Sequence, residues 1–476
     1  MRVVAGPRGQ MAPGYADTLM ASLLRAQVAL LAAAAASATV SVFAAQVGLA
    51  LVGLIHLVRT VRRETRGFAL PIDAAVGSFA IWTFMSAAFA PSPIAATESA
   101  KKLVLFLFLY FAAEVLRTDE CRELLIDAML MGGLALASLA VLQFAFLGYD
   151  TMDTRPRSFL GHYMTASGVI AILLIVATER ILAMSRPIEI TRRALAVCAI
   201  LLGISIAVML SYRTGVMPME VERFGILGVG LVAARRAWKG LAWPDASLST
   251  ALALVMAPIG GLALVLSRTR SAWIGVVCGL SVLAAIRRPR LLLFLPGLLA
   301  LGLLLSPRAV LDRLTISDAS SRDRYYMWQA GLDMIMDKPI FGQGTGMILA
   351  AYPRYRWQGA PNPNAPHLHN NFIQVAAERG LPCLVFLGWI LYLLGREAWR
   401  VRGLSRYGPL VLAVLAATLS SGMFEYTLGD SEILMLVMLL SALPFSTRSQ
   451  AREPGLAETA NPDPLSLGDA DTVLEQ

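Results

Sequence analysis

The residues best equipped for chemistry lie between Pro307 and Asn370, the only long polar stretch between apolar ones. It holds Arg322-Asp323-Arg324, a Tyr325/Tyr326/Trp328 aromatic group, the turn Gly342-Gln343-Gly344-Thr345-Gly346, and His367-Leu368-His369-Asn370. Imidazole titrates near neutrality, so His369, with His367 beside it, suits proton transfer at working pH. Two alternate histidines are also metal ligands elsewhere, but no Asp, Glu or Cys adjoins them in the chain to complete a set, so no metal is expected. Guanidinium groups keep their charge and offer a planar fork of donors to anionic oxygens, which marks Arg322 and Arg324. Arg324 precedes an amphipathic run ending before Pro339, read as a short surface helix with Arg324 at its start, where backbone N–H groups also favour an anion. Trp328 and the tyrosines either stack on sugar rings or form an interfacial belt. The glycine run follows no buried strand, so it reads as a flexible turn rather than a dinucleotide fingerprint.

Arginines recur at three earlier polar breaks. Ser267-Arg268-Thr269-Arg270-Ser271-Ala272-Trp273 separates two apolar runs: Arg268 and Arg270 either clamp a phosphate at a helix boundary or snorkel from a short loop to lipid headgroups. Ser211-Tyr212-Arg213-Thr214-Gly215 echoes it. Arg155-Pro156-Arg157 leads to His162 at the start of another apolar run, where Arg157 can hold a headgroup or the end of a glycan and His162 anchors the structure.

These residues must be positioned by membrane helices. The chain of 476 residues is 57% hydrophobic and 15% charged; soluble domains run nearer 45–50% apolar and about 25% charged. The expected fold is all-α and polytopic, with about 12–14 spans by the rule of roughly 17–25 apolar residues each. Candidates include 19–37, 40–58, 72–90, 124–148, 161–184, 194–212, 248–266, 380–395 and 408–428, with shorter ones near 103–116, 221–234, 271–286, 291–306 and 431–446. The net charge of +9 is not a nucleic-acid signature, because the basic residues fall in bursts between apolar runs. Arg59/Arg62/Arg63/Arg66, Arg180/Arg186/Arg192/Arg193, Arg235/Arg236/Lys239, Arg287/Arg288/Arg290 and Arg396/Arg400/Arg402/Arg406 share one side, cytoplasmic by the positive-inside rule. The chemistry-bearing arginines then face outward, as does Lys101-Lys102, an exception to the rule. Four dispersed cysteines give neither a disulfide framework nor a metal site. The expected organisation is helices over 1–306, an outer loop over 307–370, further helices over 371–446, and a polar, Pro-rich tail over 447–476.

The motifs Thr269-Arg270-Ser271-Ala272-Trp273-Ile274-Gly275, Arg324-x-x-x-Trp328 leading to Pro339-x-x-Gly342-x-Gly344, and His369-Asn370-x-Phe372 followed by Glu378-x-Gly380 resemble the O-antigen ligase/O-antigen polymerase superfamily. Arg157-x-x-x-Gly161-His162 is a weaker match. The resemblance implies an inverting, metal- and cofactor-independent glycosyltransferase of the bacterial inner membrane. Its donor would be a glycan on undecaprenyl diphosphate, and its acceptor lipid A–core for a ligase or a growing glycan for a polymerase, both presented among membrane lipids at the periplasmic face. It maps essential arginines onto Arg270 and Arg324 and an essential histidine onto His369. Read from the residues themselves, Arg268, Arg322, His367, Asn370, Arg157, Arg213 and Trp328 are the expected substrate contacts. A flippase for lipid-linked glycans is the different-class alternative; it expects ionisable residues inside the spans.

Overall fold

The computed structural model describes residues 15–62, 65, 69–151, 154–184, 188–214, 246–294 and 319–451. They form helices α1 Tyr15–Ser37, α2 Val42–Val61, α3 Asp73–Ala88, α4 Pro93–Ser99, a 3-10 stretch Ala100–Phe106 running into α5 Leu107–Val115, α6 Asp119–Phe146, α7 Tyr163–Ala183 and α8 Arg192–Thr214. Then follow α9 Ala246–Leu266, α10 Arg270–Arg287, α11 Ala319–Asp337, α12 Ile348–Tyr355, α13 Asn371–Val401, α14 Tyr407–Ser421 and α15 Ser431–Ala451. Among the described residues there is no strand.

Seven of these helices (α2, α6, α7, α8, α9, α10 and α13) are long and apolar enough to cross a membrane, and Ser22–Ser37, Tyr407–Ser421 and Ser431–Thr447 are shorter apolar helices. The expected helix near 221–234, most of that near 291–306, the tail beyond Ala451, and the bursts at Arg63/Arg66, Arg186 and Arg235/Arg236/Lys239 lie outside the described residues, while the first residues of the expected tail continue the last helix. Burial separates centre from rim. α6 and α7 are enclosed over most of their length, whereas α2 and α8 are mostly uncovered. The uncovered side of α2 carries Phe43, Leu54 and Leu57, and that of α8 carries Leu195, Ile206 and Leu210. Apolar side chains turned outward along such helices are what a lipid environment selects.

The two ends of the bundle differ in chemistry. At one end Arg180 donates to Asp127 at 2.9 Å, to Glu123 and to Ser249 Oγ at 3.1 Å. Arg287 donates to Glu179 at 3.0 Å, and Arg406 lies 3.5 Å from Glu123 and 3.7 Å from Glu179. These pairs tie α6, α7, α9, α10 and the start of α14. The other end lies at His162, where α7 begins, some 18 residues or about 27 Å from Arg180 at 1.5 Å per residue.

Two close approaches set the geometry of that second end. On α10, Gly275 and Gly279 sit one turn apart against the Ala417 and Ala413 carbonyls of α14; a Cβ on either would come to 3.0 and 2.8 Å of those oxygens. Small residues at this spacing let helix backbones touch. The start of α10, Arg270, and the end of α14, Ser421, are thereby held at the same end.

The second is a break in α13 at Gly380, whose φ of 82° and ψ of 167° interrupt the helix just before Pro382. The carbonyls freed there are taken by the glycine turn: Gln343 N donates to Ala377 O and Gly344 N to Glu378 O, both at 2.8 Å. Trp82 Nε1 donates to Arg379 O at 3.1 Å and Ile340 O at 3.2 Å. Gly342, Gly344 and Gly346 all have positive φ. The run read as a flexible turn is therefore a fitted clamp, because the broken helix needs donors and only glycine backbone approaches this closely. Gly380→Ala would place a Cβ 1.9 Å from Ile340 O in a conformation open essentially to glycine alone, costing at least about 1–3 kcal/mol. We expect a clear fall in Tm and in the yield of folded protein, measured by thermal unfolding of the detergent-solubilised chain; an unchanged Tm would refute this account of the break.

Candidate active site

The polar stretch folds back on the first turns of α13. Met327, Ala330 and Met334 of α11, Ile348 and Tyr352 of α12, Leu368 and Ala377 make a small separate core. The helix expected after Arg324 is longer than the sequence indicated: α11 starts at Ala319, so Arg324 lies in its second turn rather than at its N-terminus. The charged and polar residues 319–326 joined the helix because Met327, Ala330 and Met334 give it a buried stripe at helical spacing.

The His-Asn-Asn sequence has a structural reason for each member. Asn370 caps α13, its side-chain oxygen accepting from Phe372 N and Ile373 N at 2.9 and 3.1 Å. Its amide donates to Met423 O at 2.9 Å. Asn371 donates to Thr427 Oγ1 at 2.9 Å and accepts from Leu428 N at 3.0 Å. The two asparagines thus grip the 422–430 loop from both sides. That grip delivers Glu425 to His369, whose Nδ1 lies 2.9 Å from each carboxylate oxygen. His369 itself has a φ of 49°, a left-handed conformation uncommon for a side-chain-bearing residue and characteristic of functional sites.

Glu425 is buried. Burial pushes its carboxyl upward, but the hydrogen bond from His369 and the charges of His369, His367 and Arg324 outweigh this and hold it at about 2. An ionised carboxylate only accepts hydrogen bonds, so the Nδ1 of His369 that faces it carries a proton. Arg324 Nη2 stands 3.5 Å from Glu425 Oε2, and Arg324 Nε is buried with no hydrogen-bond partner among the described residues. Arg270 Nη2 donates to Ser321 Oγ at 3.0 Å; Ser321 is one turn from Arg324 on α11 and faces the same way. Arg270, Arg324 and His369, strung over a hundred residues, therefore meet at one end of the bundle.

Other expected site residues are distributed around this centre. His367 packs edge-on to His369, ring centroids 4.2 Å apart, with Nδ1 3.8 Å from Glu425. Trp328 lies 6.1 Å from the ring of Phe424, with a buried Nε1 that has no partner among the described residues. Arg268 lies over the Phe144 ring at 5.8 Å. Arg322 is exposed on α11. Arg157 reaches the Tyr149 hydroxyl at 3.5 Å. Arg213 is exposed in the last turn of α8, which packs on α6 and α9. His162 caps α7 and lines a cavity of about 450 Å³ that also borders His367, Glu425 and Asp430.

Glu425 was missed in the sequence because it lies some 56 residues beyond His369, in a loop without motif. Its arrival also changes the ligand count. His367, His369 and Glu425 offer three donor atoms all within 4.8 Å, so the carboxylate the sequence lacked next to the histidines is supplied by folding. The Arg324 guanidinium on the same carboxylate opposes a further cation there by like-charge repulsion.

A bundle of helices able to cross a membrane, with an arginine–histidine–glutamate cluster at one end, defines an all-α polytopic membrane protein. Residues 251–388 match the family model described as O-antigen ligase, so the chain resembles the O-antigen ligase/polymerase superfamily over the stretch that holds Arg270, Arg324 and His369. Glu425 falls beyond it. No curated protein matches the chain.

The site carries a pH signature. Burial, with the neighbouring His369 next, lowers the His367 imidazole from 6.5 to about 4. Between these values the unfolded chain binds a proton that the folded chain refuses, so stability falls as pH drops from about 6.5 to about 4. Glu425, depressed from 4.5 to about 2, adds a second loss below about 4.5. We expect His367→Gln to flatten the dependence of Tm on pH between 6.5 and 4; equal slopes in variant and parent would refute the assignment.

Proposed function

We propose that the protein is a metal-independent, inverting glycosyltransferase of the bacterial inner membrane, working at the periplasmic face. Its donor is a glycan on undecaprenyl diphosphate. Its acceptor is lipid A–core, which makes it an O-antigen ligase; joining repeat units, as a polymerase, is the alternative with the same chemistry. The orientation is supported by the basic residues Arg59, Arg180, Arg287 and Arg400–Arg406 at the end opposite His369. The observation that carries the reading is the Glu425 carboxylate shared between His369 and Arg324.

His369 Nε2 takes the proton of the acceptor hydroxyl while Glu425 holds the Nδ1–H and stabilises the imidazolium. The acceptor oxygen forms its bond to the anomeric carbon from the face opposite the leaving group. The bond between that carbon and the phosphate oxygen breaks, and its electron pair leaves with the lipid diphosphate. Arg270 and Arg324 stabilise the charge on those oxygens, as fixed donors worth roughly 10²–10³ in rate each. The general base contributes typically 10²–10⁴-fold.

In proteoliposomes with a polyprenyl-diphosphate glycan and a lipid acceptor, the parent should transfer the glycan. His369→Ala should lower the rate by about 10²–10⁴, and Glu425→Gln should lower kcat with little change in donor KM; full activity in either would remove the pair from the mechanism. EDTA should leave the rate unchanged, and inhibition reversed by a divalent ion would overturn the metal-free reading. Full-length polymer stranded on the carrier in a deletion strain identifies the ligase, and single repeats on the core the polymerase.

A further inference from the structure

Helix α11 carries two apolar faces. Met327, Ala330 and Met334 turn inward onto the small core shared with α12. Tyr325, Leu332 and Met336 are exposed. These three stand at i, i+7 and i+11, one narrow stripe of a helix with 3.6 residues per turn, on the side away from the buried row. Met336 is 81% exposed, so its cover, if it has one, comes from outside the described chain. A helix on the surface of a water-soluble body needs only its inward apolar face. A second row of large apolar side chains marks an interaction surface.

The row does not stop with the helix. Ile340, just beyond α11, is exposed as well, and its segment is pinned between two other helices. Leu381 N of α13 donates to Pro339 O at 2.8 Å. Trp82 Nε1 of α3 donates to Ile340 O at 3.2 Å, and the Phe341 ring stacks on Phe89 with centroids 4.3 Å apart. Both neighbours are apolar on their outer sides. On α3 the exposed residues include Ile81 and Phe84, with Phe89 following. On α13, a helix long and apolar enough to cross a membrane, they are Leu381, Val385, Trp389 and Tyr392, at i, i+4, i+8 and i+11 on one face. The two acids near the stripe are engaged by aromatic donors: Trp357 Nε1 donates to Asp333 at 2.7 Å and the Tyr355 hydroxyl to Asp337 at 2.5 Å. Tryptophan and tyrosine are enriched where hydrocarbon meets headgroups.

We propose that α11 is an interfacial helix whose outer stripe, Tyr325, Leu332 and Met336 with Ile340, rests in the lipid of the leaflet on the His369 side. The occupant is a bilayer surface because the stripe continues the outward face of α13 through the segment 339–341; a protein partner following that surface would itself have to enter the membrane. Amphipathic helices of this kind sink their apolar face about 5–10 Å into the headgroup boundary. The same helix carries Arg324 and Ser321, the partner of Arg270. The depth of the stripe therefore sets the height of both guanidinium groups above the hydrocarbon. This inference does not depend on the transferase reading.

Two measurements on full-length protein test it. In nanodiscs, a charged oxidant that stays in water should convert Met336 to its sulfoxide slowly in the folded chain and rapidly once the chain is unfolded in denaturant. Equal rates would leave Met336 in water and overturn the proposal. In native membranes, a photoreactive p-benzoylphenylalanine introduced separately at Met336, at Val385 and at the exposed Gln358 reports what lies against each position. The exposure of Met336 lets it be replaced without disturbing the core. We expect phospholipid adducts at Met336 and Val385 and none at Gln358. Crosslinked pairs of this chain at Met336 would give the stripe to a second copy, and adducts to another protein would give it to a partner; either result overturns the lipid assignment, as does equal lipid labelling at Gln358. Lipid adducts at Met336 in a protein that transfers no glycan would remove the transferase reading and leave this one standing.

Discussion

A carboxylate enclosed by protein must be neutralised, and the arrangement around Glu425 follows from that requirement. Desolvation alone would protonate it; His369 and Arg324 keep it ionised. One acid therefore fixes two groups of different character: an imidazole ring and a guanidinium that cannot release its proton. The same contact places the Nδ1–H of the ring and holds the Arg324 guanidinium beside it. Everything else at this end of the bundle serves to bring three distant segments to that carboxylate.

The supporting frame works by close backbone approach rather than by side-chain reach. Gly275 and Gly279 let α10 and α14 touch, so the residues at their ends share a level in the membrane. The glycine turn at 342–346 satisfies the carbonyls exposed by the break at Gly380, which lets the first turns of α13 tilt over the site while the rest crosses the bilayer. Asn370 and Asn371 then act as a two-sided grip on the 422–430 loop. Rigid support of this kind is what keeps a reacting constellation within tenths of an ångström.

Much of this was legible from residue order. Apolar runs marked the helices, and His369, Arg324 and Arg270, which the fold gathers at one end, were singled out by type and motif. Other features were not legible. Glu425 sits in an unpatterned loop, and its partnership depends on tertiary contact alone. Arg324 was placed at a helix start because Arg322 and Asp323 read as loop; the buried stripe beginning at Met327 carries the helix through them. The glycine run looked loose because nothing local shows that a broken helix needs its donors. Lys101 and Lys102 looked like a topological anomaly, and both line the cavity beside Glu425.

The ion pairs joining Arg180, Glu123, Asp127, Glu179, Arg287 and Arg406 have a further meaning for a molecule with a polar chamber sunk into one leaflet. Water entering such a chamber brings protons with it, and a wet path continuing to the far surface would short-circuit the membrane potential. Here the enclosed helices α6 and α7 separate the chamber from the far end, where these six side chains are committed to one another. The ion-paired end of the scaffold thus also works as electrical insulation.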